Sequence, residues 1–209
     1  MREHEIEPIR GLPGDLPPGE AILWQGTPDA MVFARSALKT RWIGAYFTVL
    51  VAWALVSGTP LGALITAGFG LLTVGLAYGF ALLVARSTVY TITNRRVVLR
   101  IGVALSKCIN LPLTKLASAD LRGLGGKTGD IALVPLGPSM LGYAMLWPHA
   151  RPLRFAAPQP MLRALPDAAE AAGILARAAA AIVPVQQRSE AVPAAAAPRP
   201  VLGAREAAA

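Results

Sequence analysis

The run Leu121-Arg-Gly-Leu-Gly-Gly-Lys127-Thr128 comes closest to a chemical motif in this chain. It nearly matches a phosphate-binding loop, in which glycine backbone amides cradle phosphates and a Lys-Ser/Thr pair opens a helix. The match fails at Leu121, where the motif needs glycine. It fails again after Thr128, where Gly129-Asp130-Ile-Ala-Leu-Val134 has the pattern of a strand. A glycine-rich hairpin loop is the better reading. The histidines, His4 and His149, have no metal-ligand spacing with each other or with Cys108. With one cysteine there is no internal disulfide framework, and the thiol reads as a small hydrophobe. The chain has no Gly-x-Ser-x-Gly nucleophile elbow and no paired carboxylates in a catalytic setting. No catalytic, cofactor-binding or metal-binding residue is assigned, no cofactor is expected, and the chain does not read as an enzyme.

The remaining chemistry is that of surfaces. Arg95, Arg96 and Arg100 follow a long apolar stretch and are candidate contacts for anionic membrane lipids, or else a solvated strand face. The segment from Pro138 to Trp147 is apolar and aromatic, too short and too interrupted by proline to span a bilayer. Its Tyr143 and Trp147, with the nearby Arg151, make a candidate partner surface.

Charge placement decides where such surfaces would work. The 209 residues carry a net charge of +8, with 54% hydrophobic and 15% charged residues. Residues 1–34 are acidic, with two Arg against six Asp and Glu. Arg35, Lys39 and Arg41 then precede an uncharged run over 42–85, and residues 86–127 carry eight basic residues against Asp120. Basic residues bracketing an apolar run suit a membrane surface rather than a DNA groove, so no nucleic-acid partner is expected. The acidic N-terminus, Met1-Arg-Glu-His-Glu, lacks the apolar core of a secretory signal.

The uncharged run is too long for one bilayer-spanning helix and suits two. Ser57-Gly58-Thr59-Pro60 divides it, predicting helices at about 42–57 and 61–85. With positive charge on both outer flanks, both termini are expected in the cytoplasm and the turn outside. Gly75 and Gly79 form a small-xxx-small face with two uses: packing on the first helix, or docking a second copy or a partner's helix. The run contains no histidine, which argues against stable pigment ligation there.

After Arg86 the pattern turns to strands. Thr88–Thr93 and Arg96–Ile101 predict a hairpin turning near Asn94. Further strands are expected at Lys107–Leu111, Lys115–Leu121, Ile131–Val134, Ala144–Trp147 and Leu153–Phe155. Pro166-Asp167 opens a helix over about 167–183, with Ala171, Ile174, Leu175, Ala178 and Ile182 on one face. The Ala/Pro-rich stretch 184–209 reads as a disordered tail. The division is therefore 1–41 as an N-terminal segment, 42–85 as a transmembrane hairpin and 86–183 as a mostly antiparallel β domain capped by a helix. The fold class is an α+β membrane protein.

Two resemblances rest on particular strings. Pro18-Gly-Glu-Ala-Ile-Leu-Trp-Gln-Gly26, Tyr90-Thr-Ile-Thr-Asn-Arg-Arg96 and Ile109-Asn-Leu-Pro-Leu113 resemble bacterial pleckstrin-homology (PH) domain membrane proteins. That likeness implies a membrane hairpin followed by a PH-like β-barrel or sandwich with a C-terminal helix. His4-Glu-Ile-Glu-Pro-Ile-Arg-Gly-Leu-Pro13, Leu146-Trp-Pro-His-Ala-Arg-Pro152 and Pro160-Met-Leu-Arg-Ala-Leu-Pro166 resemble the PuhB family of photosynthetic complex assembly proteins of purple bacteria. This second likeness spans nearly the whole chain except the tail, and departs at Leu153, where Trp is expected. It implies a non-enzymatic role in assembling the reaction centre with its core light-harvesting antenna, in the bacterial inner membrane. Membrane lipids, the subunits of those complexes and a homodimer are the implied partners. The alternative is a general PH-type membrane protein that binds anionic lipid or envelope proteins.

Overall fold

The computed structural model describes residues 9–137 and 142–190. The end of the tail, residues 138–141 of the apolar loop, and His4 lie outside the described residues.

Among the described residues the first elements are strand β1 (Ile22–Gly26) and a short helix α1 (Ala30–Ser36). Asp29 caps α1, its carboxylate accepting from the Val32 N–H at 2.9 Å. Helices α2 (Thr40–Val56) and α3 (Pro60–Ser87) form a hairpin. Its turn contains Gly58 at φ 68°, and the Thr59 hydroxyl donates to the Ala54 carbonyl at 2.9 Å. Pro60 fits the first turn of α3, where no N–H is needed.

Strand β2 (Val89–Thr93) begins almost where α3 ends. β3 (Arg96–Ile101) and β4 (Lys107–Pro112) follow, and β1 pairs with β2, so the first sheet is ordered β1-β2-β3-β4. β5 (Leu116–Gly125), β6 (Thr128–Pro135) and β7 (Met161–Leu165) form a second antiparallel sheet. A single-turn helix α4 (Tyr143–Leu146) precedes β7, and α5 (Ala168–Glu190) closes the domain. Residues of both sheets and of α5 share one core, including Tyr90, Leu99, Ile131, Leu162 and Leu175.

Several expectations change. The segment 1–41 is not separate from the β domain: β1 is an edge strand of its first sheet, with Gly26 opposite Tyr90. The helical hairpin is thus inserted between two neighbouring strands. Ala144–Trp147, expected as a strand, is mostly α4; a run between Gly142 and Pro148 has room for one helical turn, which buries Leu146. Leu153–Phe155 is no strand either, since Leu153 takes φ 63° and both ends of the run are exposed. The third strand of that sheet is β7, masked in the sequence by Arg163 at its centre. The terminal helix runs on through Pro184 to Glu190, so the tail does not begin at 184. The Leu121–Thr128 run is the β5–β6 hairpin, with Gly125 and Gly126 at positive φ.

Packing within the helical hairpin rests on Gly70, not on Gly75 or Gly79. A Cβ on Gly70 would come 2.8 Å from Phe47, whereas one on Gly75 or Gly79 would meet nothing within 4 Å. The packing use of the Gly75/Gly79 face is therefore not realised within this chain. Gly70→Leu should lower the thermal unfolding midpoint in detergent, because overpacking costs about 1–3 kcal/mol. Gly75→Leu should leave the midpoint unchanged or raise it, since leucine favours helix over glycine. A Gly70→Leu protein as stable as the parent would show that α2 and α3 do not rest on this contact.

Candidate functional site at the base of the helical hairpin

The two hairpin helices differ in length for a visible reason. α2 has 17 residues and α3 has 28. At 1.5 Å per residue these are about 25 Å and 42 Å. The surplus of α3 is held by the β domain: Ala81 and Val84 are buried against Phe33 and Ala34 of α1 and Ala164 of β7. Trp147 stacks on Phe80 of α3, with ring centroids 5.7 Å apart. Away from this grip the helices are bare, with Trp42 75% exposed, Trp53 71% and Leu71 77%. By length and composition, α3 is apolar enough to cross a membrane, while α2 is a shorter apolar helix.

Beneath the grip lies a buried polar network. The Tyr90 hydroxyl bonds His149 Nδ1 at 2.7 Å, and the Arg163 backbone N–H donates to the Tyr90 oxygen at 3.2 Å. The other ring nitrogen, Nε2, faces the Thr88 hydroxyl at 3.4 Å, so the tautomer of His149 sets which of these groups donates. Asp130 accepts from the Ala164 N–H at 2.8 Å, and the Arg163 guanidinium donates to the Pro148 carbonyl at 2.9 Å while lying over the Phe33 ring. Burial, reinforced by the Arg163 charge, pushes His149 down to about 3. Burial likewise raises the Tyr90 phenol and lowers Arg163. Tyr90 and His149 are sealed from solvent, so this network ties α3, β2 and β7 together and offers no surface for a substrate.

The predicted site residues do not gather into one place. Arg96 Nε donates to Glu20 at 2.8 Å, and Thr93 donates to the same oxygen at 2.8 Å. Burial alone would raise the Glu20 carboxyl, but the hydrogen bonds from Arg96 and Thr93 hold it below its ordinary value. Arg96 is therefore a tie between β3 and the segment leading into β1. Arg95, exposed in the β2–β3 turn, lies at the end of β2 away from α3, about 13 Å along the strand. Of the three, only Arg100 stands at the hairpin end, opposite Val89.

Of the expected partner residues, Tyr143 and Trp147 make aromatic contacts and Arg151 makes polar ones. Tyr143 packs on Phe155 with ring centroids 4.7 Å apart, and Met145, Trp147, Leu153 and Phe155 are all exposed. Arg151 is paired with Asp120 at 2.7 Å and with Gln159 at 3.0 Å; that pairing holds the Asp120 carboxyl below its ordinary value. Among the described residues no cluster of His, Cys, Asp or Glu could hold a metal. Phe33, Asp130 and Arg163 were not among the predicted residues. The one local signal was Asp29 before Ala30-Met-Val-Phe, a helix-start pattern.

A protein of Rhodobacter capsulatus described as an uncharacterized 23.7 kDa protein in the puhA 5′ region is 41% identical over 193 residues. The match covers 87% of this chain and 90% of that one. No solved structure matches. The bacterial PH domain family matches residues 40–179, from the first turn of α2 to well inside α5. That stretch holds β2 to β7 of the two antiparallel sheets and much of the helix that closes them, and the chain belongs to the bacterial PH domain family.

Proposed function

We propose that this chain is a non-enzymatic membrane assembly factor of the PuhB type, serving the photosynthetic reaction centre and its core light-harvesting complex. One observation carries the membrane part: α2 and α3 present exposed Trp, Leu, Val and Phe side chains along most of their length. Monomeric soluble proteins rarely expose contiguous apolar surface beyond a few hundred Å². The 17 residues of α2 lie at the lower edge of what a span needs. In this reading the bilayer meets α3 only above the turns gripped by α1 and Trp147, which leaves both helices similar lengths to bury. Arg35, Lys39, Arg41 and Arg86 lie at the gripped end, so positive charge puts both termini in the cytoplasm.

The assembly part rests on the strings around His149 and Pro160 and on the Rhodobacter capsulatus relative, whose description shares the puh root. The exposed apolar helices would meet helices of the nascent complex, while the surface of Tyr143, Trp147 and Arg151 works at the membrane boundary. Deleting the gene should lower assembled reaction centre and core antenna, measured by membrane absorbance, without abolishing pigment synthesis. Wild-type complex levels in the deletion strain would sink the assembly role and favour a general lipid or envelope function.

A further inference from the structure

At the base of the hairpin, the α1–α2 junction faces the β5–β6 hairpin across a cavity of about 220 Å³. Arg35, Ser36, Lys39 and Arg41 line it from one side, and Arg122 and Asp130 from the other. Four cations thus face a single carboxylate, and that carboxylate already accepts from the Ala164 N–H. Among the described residues, none of the four cations is in an ion pair.

Two further features suit an anion here. Lys39, at φ 55°, is the N-cap of α2 and gives its first turn no side-chain hydrogen bond. A helix N-terminus favours negative charge, yet Lys39 and Arg41 put two cations there. The Ser36 hydroxyl is shielded from solvent and has no hydrogen-bond partner. An anion in the cavity would answer the uncapped amides and the uncompensated cations together, and the hydroxyl beside them could donate to it.

We infer that this cavity binds the phosphate group of an anionic phospholipid. The choice of lipid over free phosphate rests on the membrane reading above: Thr40 starts the first hairpin helix, so Lys39 and Arg41 would sit at headgroup level. The cavity admits a phosphate and part of its headgroup, with the acyl chains lying along α2. This site is distinct from Arg95 and Arg96, which lie at the far end of β2.

The test uses the full-length protein in neutral detergent, titrated calorimetrically with short-chain phosphatidylglycerol, short-chain phosphatidylcholine and inorganic phosphate. Phosphatidylglycerol should bind in preference to both. The Lys39→Gln/Arg122→Gln variant should lose that preference, binding about thirtyfold more weakly if each cation is worth about 1 kcal/mol. Arg95→Gln/Arg154→Gln removes the same charge elsewhere and should bind as the parent does. Undiminished binding by the first variant, equal loss in the second, or saturation by phosphate without lipid preference would each overturn the assignment. Thermal midpoints without lipid establish that both variants are folded. Extraction behaviour separates the two readings. A chain released from membranes by carbonate would sink the membrane reading, whereas an embedded chain indifferent to headgroup charge sinks only this site.

Discussion

Phe33→Ala should cost about 3–5 kcal/mol, the usual loss for emptying a buried aromatic site. Phe33 is fully buried and touches three parts of the protein at once. Its ring packs with Ala81 and Val84 of α3 and Ala164 of β7, lies 5.6 Å from the His149 ring, and underlies the Arg163 guanidinium. Removing it leaves a cavity between α1, α3 and the second sheet, and removes the apolar lid over a buried arginine. α1 is only seven residues long and cannot persist alone. The variant should therefore show a lower unfolding midpoint in detergent and faster tryptic cleavage at Arg35, Lys39 and Arg41. Phe33→Leu should fall between the two. Unchanged stability and unchanged cleavage in Phe33→Ala would mean that α1 is not what holds α3 to the β domain.

Mild acid should destabilise the protein through His149. Its folded value of about 3 lies below the ordinary 6.5, so the unfolded chain takes up a proton that the folded chain refuses. The stabilisation is complete above pH 6.5 and is lost as pH falls toward 3, at up to about 1.4 kcal/mol per pH unit. The interval from pH 6.5 to about 5 isolates this group, because the carboxyls of Glu20 and Asp120 titrate lower. Over that interval the loss should reach about 2 kcal/mol. Denaturant titrations at the two pH values measure it, and His149→Gln should flatten the dependence while lowering stability at neutral pH. Tyr90→Phe should be costly at every pH, since it strips a partner from His149 Nδ1 and from the Arg163 N–H, at about 1–3 kcal/mol per unsatisfied group. A parent whose stability does not change between those pH values would show that His149 is not held neutral by burial.

The elements that were legible in the sequence are those whose signal is local. Asn94 and the β-branched residues beside it marked the β2–β3 hairpin, and the apolar face of α5 appeared at helical spacing from Ala171 to Ile182. β7 was hidden because Arg163 breaks its apolar pattern, and only tertiary contacts, with the distant Pro148 carbonyl and the Phe33 ring, make this arginine acceptable inside. α4 was mistaken for a strand because a run this short carries no period, and its tertiary setting decides. β1 could not be assigned to its sheet, since its partner β2 lies beyond the whole helical hairpin.

The order of residue types along the chain determined by itself that an uncharged run divided into two helices would stand between basic flanks, followed by a β domain. That follows from composition and spacing, which need no knowledge of neighbours. Tertiary structure alone decided what each residue type is for. Gly70 rather than Gly75 or Gly79 meets α2, because helix rotation selects the contact face among several glycines of equal propensity. Arg96 was drawn into an ion pair with Glu20, and Arg35, Lys39, Arg41 and Arg122 were brought around one cavity from separate segments. Such convergence depends on how the two sheets and the hairpin pack, and no local pattern records it.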